Sequence, residues 1–110
     1  MNPKIETITL LYFDGCPSWK DVLANLREVL NEFGLTVEIE LIKIESNEQA
    51  QEQKFLGSPS ICVNGEDLWP EDRQTYTMSC RVYQTPSGFS GVPTSEMIKA
   101  RLQEVLARAE

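Results

Sequence analysis

The chain has 110 residues, 41% of them hydrophobic and 25% charged, which fits one soluble globular domain spanning 1–110 and large enough to fold without disulfide staples. Its formal charge of -7, from 17 acidic against 10 basic residues, repels nucleic acid and anionic membrane, so neither is expected as a partner. There is no histidine, which removes the commonest general base, the Cys–His nucleophile pair and most zinc sites.

Ile5–Phe13 reads as a strand, alternating early and continuously apolar late, as expected of a central strand covered on both faces. The stretch before it lacks the apolar core of a signal peptide, and no apolar run is long enough to span a bilayer, so a cytoplasmic protein is expected. The strand runs into Tyr12-Phe13-Asp14-Gly15-Cys16-Pro17-Ser18-Trp19. An Asp-Gly turn is followed by a cysteine directly before a proline, and proline is favoured at the first helical position. Cys16 is therefore expected at or close to the N-cap of a helix over Pro17–Phe33. The free N–H groups and positive dipole end there stabilise a thiolate. The bland alternative for Cys16 is a small buried apolar residue. Trp19, Val22, Leu23, Leu26, Val29, Leu30 and Phe33 form the apolar stripe of this helix, and Gly34 ends it. Trp19 fits the stripe and reads first as core, second as the wall of a pocket.

Thr36–Ile44 is a second strand, giving a right-handed parallel βαβ unit. Ser46 and Gln49 make a capping box that opens a second, mostly polar helix over Asn47–Leu56, touching the core through Ala50 and Phe55. Gly57-Ser58-Pro59 breaks it. Ser60–Val63 is a short strand, Asn64-Gly65 a hairpin turn and Glu66–Trp69 the returning strand. Pro70–Met78 reads as a loop, Ser79–Gln84 as an additional edge strand and Thr85–Pro93 as a loop. Thr94–Ala109 is the last helix, capped by Thr94 or Ser95.

This order of elements, with Cys16 at the start of the first helix and Pro59 before the third strand, resembles the thioredoxin-like superfamily over most of residues 5–109. The resemblance implies a single-domain, three-layer α/β/α fold. It also implies that Ser58–Pro59 is a cis peptide lying against a nucleophilic Cys16, with Ser58 offering backbone hydrogen bonds to an extended substrate. Thioredoxins use Cys-x-x-Cys, whereas Trp19 stands at the second cysteine position here. A narrower likeness, carried by Phe13-Asp14-Gly15-Cys16-Pro17-Ser18-Trp19, Ser79-Cys80-Arg81-Val82-Tyr83 and Ser90-Gly91-Val92-Pro93, is to small bacterial thioredoxin-like proteins, some of them selenoproteins. These are often labelled as resembling alkylmercury lyase. That enzyme uses two cysteines and an acid to hold mercury and protonate the departing carbanion. Cys16 and Cys80 stand at a similar separation, but Trp19 occupies the place of the acid, leaving Asp14 as the nearest substitute.

Three cysteines, an odd number, fit a reducing compartment better than a disulfide framework. Sequence alone does not pair them. Cys80, between two loops and beside Arg81, is the second candidate thiol; Cys62, between Ile61 and Val63, reads as structural. Glu45, Glu48 and Glu52 read as a solvated face, so no metal site is expected. Arg73 and Arg81 are candidate contacts for an anionic substrate. The expected function is a thiol oxidoreductase without cofactor, acting on a thiol or disulfide substrate or a protein partner, with Cys16 attacking, Cys80 resolving, and Ser58, Pro59, Trp19 and Arg81 shaping the substrate site. The alternatives are a soft-metal or organomercurial protein using Cys16 and Cys80, and a non-catalytic binding domain.

Overall fold

In a computed structural model, residues 5–72 and 74–108 are described. β1 (Ile8–Tyr12), α1 (Trp19–Glu32) and β2 (Ile39–Lys43) form the βαβ unit, with β1 and β2 paired in parallel from Ile8↔Ile39 to Tyr12↔Lys43. After α2 (Asn47–Gln53), β3 (Ser60–Val63) pairs antiparallel with β1, and β4 (Glu66–Asp67) pairs antiparallel with β3. The sheet order is β2-β1-β3-β4. β5 (Tyr83–Thr85) and β6 (Gly88–Ser90) make a separate two-stranded sheet, and α3 (Ser95–Arg108) follows. The result is a mixed α/β fold.

Side chains of β1 alternate between two apolar clusters, as strand geometry requires. Ile8 and Leu10 join Val22, Leu26 and Val29 of α1 and Ile98 and Leu102 of α3. Leu11 joins Ile44, Ala50 and Phe55, beside α2. Helices therefore cover both faces of the sheet. α1 and α3 are also tied through Lys99–Glu32 at 2.8 Å, and Asn25 of α1 donates to the carbonyl of Pro93, two residues before α3, at 3.2 Å.

Local chemistry explains the ends. Gly34, at φ 68°, lets Leu35 N–H reach back to the Leu30 carbonyl at 2.9 Å. Asn64 and Gly65, at φ 53° and 86°, give the hairpin turn the left-handed pair it needs. The Thr94 hydroxyl accepts from Met97 N–H at 3.1 Å and caps α3. Ser46 Oγ accepts from Gln49 N–H at 3.0 Å, while the Gln49 carboxamide reaches Glu45 N–H instead of closing the box on Ser46. α2 stops before the expected Leu56 because Lys54 turns left-handed, which drops Phe55 and Leu56 into the core.

Other elements also differ from expectation. The stretch 85–93 is not a plain loop: Pro86 and Ser87 form a two-residue turn between β5 and β6, with Thr85↔Gly88 closing it. Of the four breakers in this stretch, Pro86 sits in the turn, Gly88 is taken into β6 and Gly91 and Pro93 lie beyond it, so both strands form. Ser79–Gln84 is not one edge strand; Cys80 makes only an isolated bridge to Ser58, and pairing resumes at Tyr83. The α-helical part of α1 starts at Trp19 rather than Pro17, because Pro17 and Ser18 form a tight turn in which Lys20 N–H bonds the Pro17 carbonyl at 3.4 Å. Ala109, the expected end of the last helix, lies outside the described residues.

Candidate functional site

β1 and β3 run antiparallel with Leu11 opposite Ser60. The residues after Leu11 and those before Ser60 therefore meet at the same end of the sheet. That register sets the turn carrying Cys16 against the Gly57-Ser58-Pro59 segment. Phe13 N–H donates to Ser58 Oγ at 3.2 Å, and Cys16 N–H donates to the Phe13 carbonyl at 3.2 Å. The Ser58–Pro59 peptide is cis. Its surroundings are satisfied: Tyr83 Oη donates to the Pro59 carbonyl at 2.5 Å and Ser60 Oγ to the Gly57 carbonyl at 2.5 Å.

The third component comes from far along the chain. Ser58 N–H donates to the Ser79 carbonyl at 2.8 Å, and Arg81 N–H donates to the Ser58 carbonyl at 2.9 Å. Both polar groups of the Ser58 backbone, expected to be open to substrate, are thus taken by residues 79 and 81. The residue between them, Cys80, forms a disulfide with Cys16 across 64 positions of sequence, with Cα atoms 5.9 Å apart. Gly57 permits this seating. It lies at φ +120°, and a Cβ there would stand 2.9 Å from Arg81 Cβ and 3.1 Å from Arg81 Cα.

The two sulfur-bearing residues differ in access. Cys16 is 3% exposed, whereas Cys80 is exposed. Ser18, the N-cap, offers no side-chain bond to the first turn of α1, and Cys16 precedes it by two positions. Trp19 is half-buried, packs on the α1–α3 cluster and stacks on Tyr12 at 4.2 Å between centroids. It packs with the core, the first of its two readings from sequence.

Arg81 is not an open anion contact. Its side chain is 3% exposed, and Nη1 donates to Asp67 Oδ2 at 2.9 Å and to Ser60 Oγ at 3.1 Å. Nη2 donates to the Trp69 carbonyl, and the guanidinium lies 4.9 Å from the Tyr83 ring centroid. A buried guanidinium needs this full set of acceptors, and they turn it inward from Cys80. Burial pushes the Asp67 carboxyl above its usual range, and the charge of Arg81 offsets part of that. Asp67 and Tyr83 carry this arrangement, yet neither stood out in sequence, since an Asp in a short polar strand and a Tyr after Cys-Arg-Val have no local signature. Arg73, the other candidate anion contact, lies outside the described residues.

Cys62 is the free cysteine. It is half-buried rather than fully buried, and its thiol is pushed up to about 12, first by burial and then by Asp67. A groove of about 710 Å³ runs past it, lined also by Tyr76, Arg101 and Glu104, and Cys16, Ser58, Pro59 and Cys80 do not line it. Asp14 is exposed and paired with Lys43 at 2.7 Å, and Glu45, Glu48 and Glu52 are solvated. Among the described residues, no three Cys, Asp or Glu side chains are grouped to hold a metal ion, and no helix is long and apolar enough to cross a membrane.

A family model, Domain of unknown function (DUF2703), matches residues 17–101, more than three quarters of the 110-residue chain. The chain belongs to the DUF2703 family. The matched DUF2703 region contains Ser58, Pro59, Asp67, Cys80 and Arg81 and starts directly after Cys16. No curated protein and no solved structure matches the chain.

Proposed function

We propose that this DUF2703 protein is a thioredoxin-like thiol oxidoreductase whose working element is a reversible Cys16–Cys80 disulfide beside cis-Pro59. The sheet order β2-β1-β3-β4, with β1 parallel to β2 and antiparallel to β3, supports the thioredoxin-like reading, as does the cis peptide at the site. The observation that carries the function is the convergence of two cysteines 64 positions apart at one end of the sheet, with Cα atoms 5.9 Å apart. That spacing falls within the range a disulfide requires. Cys80 supplies the partner thiol that Trp19 denies the local motif.

The proposed setting is the cytoplasm, where structural disulfides are uncommon and a bond of this kind serves transient redox chemistry. In the reaction, two protein thiols reduce one substrate disulfide to two thiols and become the Cys16–Cys80 disulfide. The test is to titrate the fully reduced protein with oxidised glutathione. The reading predicts two glutathione thiols released per chain and a Cys16–Cys80 bond in the peptide map, in wild type and in Cys62→Ser alike. Release without that bond, or no release, overturns it.

The same spacing supports a second reading, in which the reduced pair shares a soft metal ion. Protection of both thiols from alkylation by one equivalent of Cd²⁺, in preference to Zn²⁺, would favour it.

A further inference from the structure

We propose that Cys80 is the thiol that meets the substrate and that Cys16 is the resolving thiol beneath it. This rests on the redox-pair reading above and reverses the order expected from the Cys-Pro motif. Its basis is access combined with anchoring. Cys16 is 3% exposed and Cys80 is exposed, so the outer face of the pair belongs to Cys80.

That cover does not depend on the disulfide. The segment carrying Cys80 is held on one side by Ser58 N–H to the Ser79 carbonyl, and on the other by Arg81 N–H to the Ser58 carbonyl. Next to Cys80, the buried Arg81 guanidinium is fixed by Asp67, Ser60 and the Trp69 carbonyl. Gly57 leaves the space in which the Arg81 backbone rests. None of these contacts involves a sulfur atom, so reduction breaks the S–S bond and leaves the segment seated. Cys80 then remains over Cys16, and an incoming disulfide reaches Cys80 first.

The chemistry balances in two steps. The Cys80 thiolate attacks one sulfur of a peptide or glutathione disulfide. That S–S bond breaks, and the other sulfur leaves as a thiolate that takes a proton from solvent. The Cys16 thiolate then attacks Cys80 Sγ, forming the intramolecular bond and expelling the second substrate sulfur, which is likewise protonated. Two electrons pass from the protein dithiol to the substrate disulfide. In reverse, an external thiolate attacks Cys80 Sγ, the Cys16–Cys80 bond breaks and Cys16 leaves as a thiolate that takes a proton from solvent.

The probe is oxidised glutathione at neutral pH, applied to Cys16→Ser and Cys80→Ser. The mixed disulfide is quantified by intact mass and located by peptide mapping. Cys16→Ser is expected to form its adduct on Cys80 at least about tenfold faster than Cys80→Ser forms one on Cys16, because access limits the latter. Equal rates, or a faster adduct on Cys16, overturn the assignment. Both variants lack the cross-link, so the order is also read in reduced wild type by brief iodoacetamide treatment. Cys80 labelled before Cys16 supports the proposal, and the opposite order overturns it. Failure of the redox-pair reading looks different: wild type then forms no Cys16–Cys80 bond with oxidised glutathione, whichever thiol labels first.

Discussion

Reducing the Cys16–Cys80 bond, or replacing both cysteines by serine, perturbs stability by an amount that follows from where the bond closes the chain. The bond spans 64 positions. In the chain-entropy account, a loop of that length removes about 14 cal/mol/K from the unfolded ensemble, or about 4 kcal/mol at 25 °C. For a 110-residue domain the entropy of unfolding is on the order of 230 cal/mol/K, so this amounts to about 15–20 °C in Tm. By linkage, folding raises the effective concentration of Cys80 at Cys16 about a thousandfold over the unfolded chain, since each ~1.4 kcal/mol is a factor of ten. The assay is thermal unfolding followed by far-UV circular dichroism, with and without a phosphine reductant, on wild type and on the Cys16→Ser/Cys80→Ser double variant. Reductant lowers the wild-type Tm by this amount and leaves the double variant, already low, unchanged. A wild-type shift under about 3 °C would refute the reasoning, because it would mean that the segment bearing Cys80 does not seat on Cys16.

Three further outcomes follow from the surroundings of the site. The Cys62 thiol, pushed up to about 12 by burial, carries at pH 8 roughly a thousandth of the thiolate of an ordinary cysteine. In the folded oxidised protein it should therefore alkylate slower than a free cysteine by about that factor, and labelling at an ordinary rate in a maleimide or iodoacetamide time course contradicts its placement. Tyr83→Phe removes the donor to the buried Pro59 carbonyl and should cost about 1–3 kcal/mol in urea unfolding. Burial raises the Tyr83 phenol above its ordinary value, so its contribution is fully present below about pH 10 and is lost as pH rises beyond that, through the folded-state value. The stability of wild type should fall more steeply than that of Tyr83→Phe above about pH 10, and parallel curves would contradict this.

Much of this arrangement was legible because short-range signals and global packing agree. The apolar run read to Phe13, the 3.6-residue stripe from Trp19 to Phe33, the left-handed stop at Gly34 and the Asn64-Gly65 turn are each decided within a few residues. The β5–β6 hairpin was hidden because its proline and glycine, the same residues that mark loops, sit in its turn and in β6. Proximity of Cys16 to Cys80 is a long-range property, set by the Leu11↔Ser60 register and by the docking of residue 80 on Ser58. Arg81 shows the limit most plainly. Beside a cysteine it reads as an activating cation, yet its acceptors are Asp67, Ser60 and a backbone carbonyl, 12–21 positions away. The inversion of access, with Cys80 outside and Cys16 inside, likewise follows only from the seating of residues 79–81.

The most direct measurement is the midpoint potential of the Cys16–Cys80 couple, obtained by equilibrating the protein in glutathione or dithiothreitol redox buffers and quantifying the disulfide after acid quench. A working redox pair predicts one two-electron transition between about -270 and -120 mV, the span of thiol–disulfide oxidoreductases. A midpoint below about -300 mV would contradict the account, because the bond would then be a structural staple that the glutathione pool does not reduce.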